Sequence, residues 1–70
     1  MKIKGTIRYI ELETGFWGIE SDRGAHYVPV NMPEQLKIEG RRVEVEVRFE
    51  EEMAGLEQWG RYVYITAFET

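Results

Sequence analysis

The stretch Val43-Glu44-Val45-Glu46-Val47-Arg48-Phe49-Glu50 decides the fold class. Apolar and charged residues alternate through it without a break. Successive side chains on a β-strand point to opposite faces, so a period of two marks a strand with one buried and one solvated side. Val43, Val45, Val47 and Phe49 belong to a core, and Glu44, Glu46, Arg48 and Glu50 belong to a solvated face, where charged residues normally sit.

Upstream of this strand, Asn31-Met32-Pro33-Glu34 reads as a helix start, with Asn31 as the cap, Pro33 in the first turn and Glu34 as a capping-box acid. Lys37-Ile38-Glu39-Gly40 follows so soon that the helix can be only a single turn. Before it, Ala25 to Val30 makes a strand ended by Pro29 and Asn31, and Phe16 to Glu20 makes another. Ser21-Asp22-Arg23-Gly24 between them is a tight hairpin turn, with a glycine where positive φ is needed. Glu13-Thr14-Gly15 is a further turn, preceded by a first strand from Ile3 to Leu12. That strand is rich in β-formers but alternates imperfectly, which predicts a bulge where it wraps a barrel. Downstream, Glu50-Glu51-Glu52-Met53-Ala54-Gly55 reads as an exposed loop. Leu56 to Phe68 carries the last strand, with Val63, Ile65 and Ala67 on one face and Tyr62, Tyr64 and Thr66 on the other. The expected fold is all-β: one domain over residues 1–70, a five-stranded OB-type Greek-key barrel with one short helical turn between strands 3 and 4. An SH3-like barrel is the nearest competitor, but its helical turn usually precedes the last strand.

Composition narrows how such a barrel can be held. A chain of 70 residues buries only about 60% of its unfolded surface, so its stability margin is thin. It contains no cysteine and one histidine, His26, which excludes disulfides, thiolate zinc sites and multi-histidine metal sites. Packing and a closed hydrogen-bond ladder must supply the stability. The lack of cysteine is compatible with a reducing cytoplasm. The opening Met1-Lys2-Ile3-Lys4-Gly5 carries no apolar run, so neither a signal peptide nor a membrane span is expected, and the expected location is cytoplasmic. The net charge of −4 argues against strong nucleic-acid binding unless a local basic face overrides it.

Gly5-x-Ile7-Arg8-Tyr9-Ile10 followed by Gly15-Phe16 resembles the opening of cold-shock domains, and Glu39-Gly40-Arg41-Arg42-Val43 resembles the glycine before their fourth strand. The resemblance implies an OB barrel that stacks single-stranded bases on surface aromatics. It places Tyr9 on a stacking tryptophan slot and Phe16 on the first phenylalanine of the first motif. Gly18 replaces that motif's second phenylalanine, and Trp17 falls in a glycine slot. In the second motif an ungapped match gives Tyr27-Val28-Pro29-Val30, without the expected phenylalanine and histidine, while a one-residue gap puts Tyr27 on the phenylalanine slot. The implied stacking platform is therefore degraded. A longer pattern is similar to a family of small, functionally uncharacterised prokaryotic OB-like domains: Gly5-Thr6-Ile7-Arg8-Tyr9, Leu12-Glu13, Gly15-Phe16-Trp17-Gly18-Ile19, Asp22, Gly24, Tyr27, Pro29, Asn31-Met32-Pro33, Gly40, Val43 and Trp59-Gly60. That resemblance implies the fold and little about function.

Two Trp, four Tyr and three Phe in 70 residues are the sharpest functional feature. Each base stacked on an aromatic face gains about 1–3 kcal/mol. Tyr9, Phe16, Trp17, Tyr27, Trp59, Tyr62 and Tyr64 are the candidates for such a platform, with Arg8, Arg61 and Lys4 to meet phosphates. The competing reading is that most of these rings fill or edge the core of a small barrel. Gly15-Phe16-Trp17-Gly18 either brings backbone close to a ligand or permits close strand packing. His26 has no Cys or Ser partner for nucleophilic catalysis and reads as a lone surface histidine. Glu50, Glu51 and Glu52 lack calcium-loop spacing, and Glu11 with Glu13 forms only a possible acid pair on one strand face. The expectation is a non-enzymatic binding module with no catalytic residue, cofactor, metal or membrane contact. Its ligand class is weakly bound single-stranded nucleic acid, or alternatively a protein partner in an interaction or assembly role. Ligand identity and oligomeric state are left open.

Overall fold

The computed structural model describes residues 1–50 and 59–69. Five strands, β1 (Lys2–Ile10), β2 (Phe16–Ser21), β3 (His26–Pro29), β4 (Arg42–Phe49) and β5 (Arg61–Phe68), close into a barrel in the order β1-β2-β3-β5-β4. All neighbours are antiparallel except β3 and β5, which run parallel. A 3-10 turn, Glu34–Leu36, lies between β3 and β4. This is the OB-type arrangement, with the helical turn after the third strand rather than before the last.

β1 serves two neighbours. Lys2 through Thr6 pairs with β4, and Gly5 through Ile10 pairs with β2, both in unbroken register. The bulge expected in this strand is not there. Ile3, Gly5 and Ile7 are the buried, inward positions, so the alternation is regular through Ile7 and was hidden there by a glycine; at Tyr9 and Ile10 the strand leaves the core and the pattern ends. A Cβ on Gly5 would lie 2.4 Å from the Glu20 carbonyl oxygen and 2.9 Å from the Ser21 Cα. No side chain fits between β1 and β2 at that point.

The irregularity falls in β5 instead. Glu46 opposes Ala67 but Val47 opposes Ile65, which leaves Thr66 as the extra residue of a bulge. The bulge reverses the expected faces beyond Ile65: Ala67 is exposed, and Phe68 packs against the core.

Asn31 does not cap the helical turn. The residue at the cap is Pro33, with no side-chain cap hydrogen bond. The Asn31 amide instead donates from Nδ2 to the Ile65 carbonyl at 2.9 Å and accepts the Ile65 N–H on Oδ1 at 2.8 Å. A side chain thus extends the β3–β5 contact where the backbone has already turned away. Leu36, from the same turn, has no exposed surface and belongs to the core. At the β2–β3 hairpin, Gly24 takes φ 89°, as the turn requires.

The core consists of Ile3, Ile7, Ile19, Leu36, Val43, Val45, Val47, Val63 and Ile65, all aliphatic. Trp17, Tyr27, Met32, Phe49 and Phe68 pack at its margin. No polar or charged side chain is buried among the described residues. Four aromatics, Trp17, Tyr27, Phe49 and Phe68, therefore edge the core and do not fill it. The expected loop through Glu51 and Glu52 to Gly55, and the start of the last strand at Leu56, lie outside the described residues. No helix among the described residues is long and apolar enough to cross a membrane.

Gly5→Ala should destabilise the fold by about 1–3 kcal/mol, the usual cost of overpacking, because its new methyl meets backbone and not a movable side chain. Urea denaturation of the two proteins measures this, and an unchanged midpoint would show that β1 and β2 can separate freely there.

Candidate ligand-binding groove

The strand registers sort the candidate ligand residues into separate places. Phe16, Gly18 and Glu20 alternate with the inward Trp17 and Ile19 along β2, so they share its outer face. Glu20 pairs with His26 on β3, which continues that face. Trp59 folds over it from the approach to β5. A Cβ on Gly18 would come within 2.2 Å of Trp59 Cζ3, so the bare glycine makes the bay in which the indole sits. One face of the indole stacks on His26, with centroids 4.1 Å apart and planes within 6° of parallel. Phe16 meets it edge to face at 6.2 Å. His26 Nδ1 lies 3.1 Å from the Trp59 carbonyl oxygen, and its Nε2 is 3.8 Å from Glu20.

Just beyond Trp59, Arg61 opens β5 opposite Tyr27. The Arg61 guanidinium lies 4.0 Å from the centroid of the Phe49 ring, and Tyr27 contacts the same ring at 6.2 Å. His26, Tyr27, Trp59 and Arg61 together line a groove of about 370 Å3, walled by the β2–β3 hairpin at Gly24 and Ala25. Three of the residues singled out in the sequence, Tyr27, Trp59 and Arg61, meet here, and Phe16 touches the site through Trp59. His26 was not among them. It is half-buried and stacked, not a lone surface histidine. The signal that pointed to it was Gly18: a residue without a side chain between Phe16 and Glu20 on an outer strand face leaves room for a ring from elsewhere.

Of the remaining candidates, Tyr9, Trp17, Tyr62 and Tyr64 do not line the groove, while Arg8 on β1, opposite Gly18, borders its face through Glu20. Tyr9 and Trp17 meet edge to face at 5.1 Å towards the other end of the barrel, where Tyr9 is 43% exposed. Arg8 faces two carboxylates, Glu20 at 3.3 Å and Glu39 at 3.1 Å. Glu39 also accepts the Tyr9 backbone N–H, and that bond first, then Arg8, holds its carboxyl below the usual carboxylate range. The surroundings of Arg8 are therefore neutral to acidic. Tyr62 and Tyr64 are half-buried on the outer side of β5, with the Arg48 guanidinium 4.3 Å from the Tyr64 ring. No group of three or more potential metal-ligating side chains occurs among the described residues.

No protein-family model matches this chain, and no curated protein and no solved structure matches it either. The cold-shock and prokaryotic OB-like patterns are therefore likenesses of residue spacing.

Two outcomes follow from this geometry. Gly18→Ala should expel the indole of Trp59 while leaving the barrel intact, because the clash is with a ring and not with backbone. Near-ultraviolet circular dichroism should lose intensity while the far-ultraviolet spectrum holds; identical near-ultraviolet spectra would mean the ring is not seated in this bay. The second concerns Glu39. A carboxyl with a depressed folded pKa stabilises the fold above the ordinary carboxylate range, and the gain is lost as pH falls through the folded value. Wild type should therefore melt above Glu39→Gln at about pH 7, and the gap should narrow as pH is lowered to about 3. A gap of equal size at both pH values would assign the difference to packing instead of charge.

Proposed function

We propose that this chain is a non-enzymatic binding module for single-stranded nucleic acid, working in a cytoplasmic setting, with the His26–Tyr27–Trp59–Arg61 groove as its site. One observation carries the reading: two aromatic rings, a stacked histidine and a guanidinium, drawn from β3, from the approach to β5 and from its first residue, line a single groove. In OB barrels the face of strands 2 and 3, flanked by the loop between strands 4 and 5, is where oligonucleotides and oligosaccharides bind. A base entering the groove would extend the His26–Trp59 stack, and every base offers a π-face, so the mode tolerates sequence variation. Arg61, positioned by Phe49, supplies the charge for a neighbouring phosphate. The net charge of −4 keeps such binding weak and sensitive to salt.

A second reading, a protein-interaction or assembly surface, is favoured by one feature at the other end of the barrel. There Tyr9 and Leu12 are 43% and 42% exposed, and Arg8 is outnumbered by Glu39 and Glu20. Aromatic and apolar exposure without net positive charge suits a protein partner better than a polyanion. Self-association seen by light scattering and abolished by Leu12→Ser would favour this reading.

Fluorescence anisotropy of labelled oligo-dT and oligo-U at low salt tests the first. Binding in the micromolar range that weakens with added salt is expected, with Trp59→Ala reducing affinity on the order of tenfold, the worth of one stacked base. No anisotropy change at high micromolar protein would overturn it.

A further inference from the structure

A second groove, of about 600 Å3, shares Ala25 and Tyr27 with the first and is otherwise bounded by the start of β1 and the β2–β3 turn. Its charge is unlike that of the chain as a whole. Among the described residues, Lys2, Lys4 and Arg23, three of the nine Lys and Arg residues, line it against a single carboxylate, Asp22. That carboxylate is already engaged. Arg42 reaches Asp22 with both guanidinium nitrogens, at 2.6 and 2.7 Å, and this paired contact holds the Asp22 carboxyl below its usual range. Lys2 is matched by Glu44 at 3.1 Å. Lys4 and Arg23 form no ion pair among the described residues.

Ser21 adds a third donor. Its hydroxyl oxygen accepts the Arg23 N–H at 3.2 Å and the Ala25 N–H at 3.0 Å. A hydroxyl has two acceptor positions and one proton, so these bonds fill its acceptor side and leave the proton to donate. No acceptor for it occurs among the described residues. Lys4, Arg23 and Ser21, whose hydroxyl is left as a donor, therefore line one groove in which Asp22, the only carboxylate among the described lining residues, is occupied. Such a set rejects cations and selects a ligand with several acceptor oxygens.

We propose that this groove is a phosphate-binding site formed by Lys4, Ser21 and Arg23, with Arg42 as a positioning residue that keeps Asp22 from competing. The phosphate has two possible sources, a free polyphosphate or the backbone of a nucleic acid. The second rests on the nucleic-acid reading above: a strand stacked beside Tyr27 would carry its next phosphodiesters past Ala25 into this groove.

The test uses the full chain, isotopically labelled, with sodium tripolyphosphate and oligo-dT titrated separately and followed through backbone amide and indole NMR shifts. Tripolyphosphate should move the amides of Lys4 and of Ser21 through Ala25 and leave the Trp59 indole in place. The double variant Lys4→Gln/Arg23→Gln should lose about tenfold or more in affinity with its spectrum otherwise intact. Arg42→Gln should weaken binding as well, by releasing Asp22, although it lies outside the groove lining. Oligo-dT should move both sets of signals. In the double variant its plot of log affinity against log salt should flatten by about 1.4, for two lost contacts to a single strand.

The two readings fail separately. If tripolyphosphate at millimolar concentration leaves those amides unmoved, or the double variant binds it as wild type does, the phosphate site is overturned. If tripolyphosphate binds as described but oligo-dT moves nothing, the phosphate site stands with a free polyphosphate as its ligand, and the nucleic-acid reading falls. If oligo-dT binds at Trp59 with an unchanged salt slope in the double variant, the nucleic-acid reading stands and this groove has no part in it.

Discussion

Closure of the barrel through β1 is the constraint on which the rest of the structure depends. With no cysteine and a single histidine, the chain has neither disulfide nor multi-histidine metal site to hold it. One strand must pair on both sides, with β4 through its first half and β2 through its second, and Gly5 and Thr6 are the residues that pair with both. At Gly5 the Glu20 carbonyl comes too close for any side chain. The barrel that results is narrow. Among the described residues nine aliphatic side chains make up its central cluster, and the larger rings are left at its rim. This bears directly on function, because Tyr27, Phe49 and Trp17 lie where packing ends and solvent begins. A wider barrel would have swallowed them.

The most legible part of the fold was the part buried on one side only. Val43 to Phe49 alternate because every second residue faces the core, and the pattern carries its own register. β1 obeys the same rule, but a glycine at an inward position carries no hydropathic signal, and the strand looked irregular. In β5 the bulge at Thr66 shifts the period by one residue, and nothing in Thr66-Ala67-Phe68 announces it. Asn31 shows a different limit. Its chemistry suits a helix cap, and its position before Pro33 and Glu34 suits one too, yet its amide matches a backbone N–H and C=O pair equally well, and Ile65 presents that pair. Local sequence ranks the options for such a residue, but tertiary contact decides among them.

For the candidate site, the kinds of residue were legible and their grouping was not. Aromatic density pointed to rings and guanidinium groups that could hold a base. Which of them meet depends on contacts far apart in sequence: Trp59 seats on Gly18, stacks on His26 and places Arg61 next to Tyr27. Arg8 illustrates the reverse case. Read alone it is a phosphate ligand, but Glu20 and Glu39, from β2 and from the connection into β4, close around it.

Net charge, for the same reason, describes this molecule poorly. What a ligand meets is set by which charges are already matched. Towards one end of the barrel, Glu39 and Glu20 outnumber Arg8. At the β2–β3 turn, Arg42 is spent on Asp22, and Lys4 and Arg23 form no ion pair among the described residues, although Lys4 adds to the positive field at Asp22. The molecule measures 30 × 24 × 23 Å, while charges at physiological ionic strength are screened within about 8 Å. Carboxylates at the far end, such as Glu11 and Glu13, therefore contribute little to the field at the turn. An acidic chain of this size can present a locally basic surface without being basic overall, provided that its salt bridges are placed asymmetrically. The Arg42–Asp22 pair is one such placement: it contributes little to stability as an exposed ion pair, and its consequence is that the one acid lining the groove is no longer free to repel an anion.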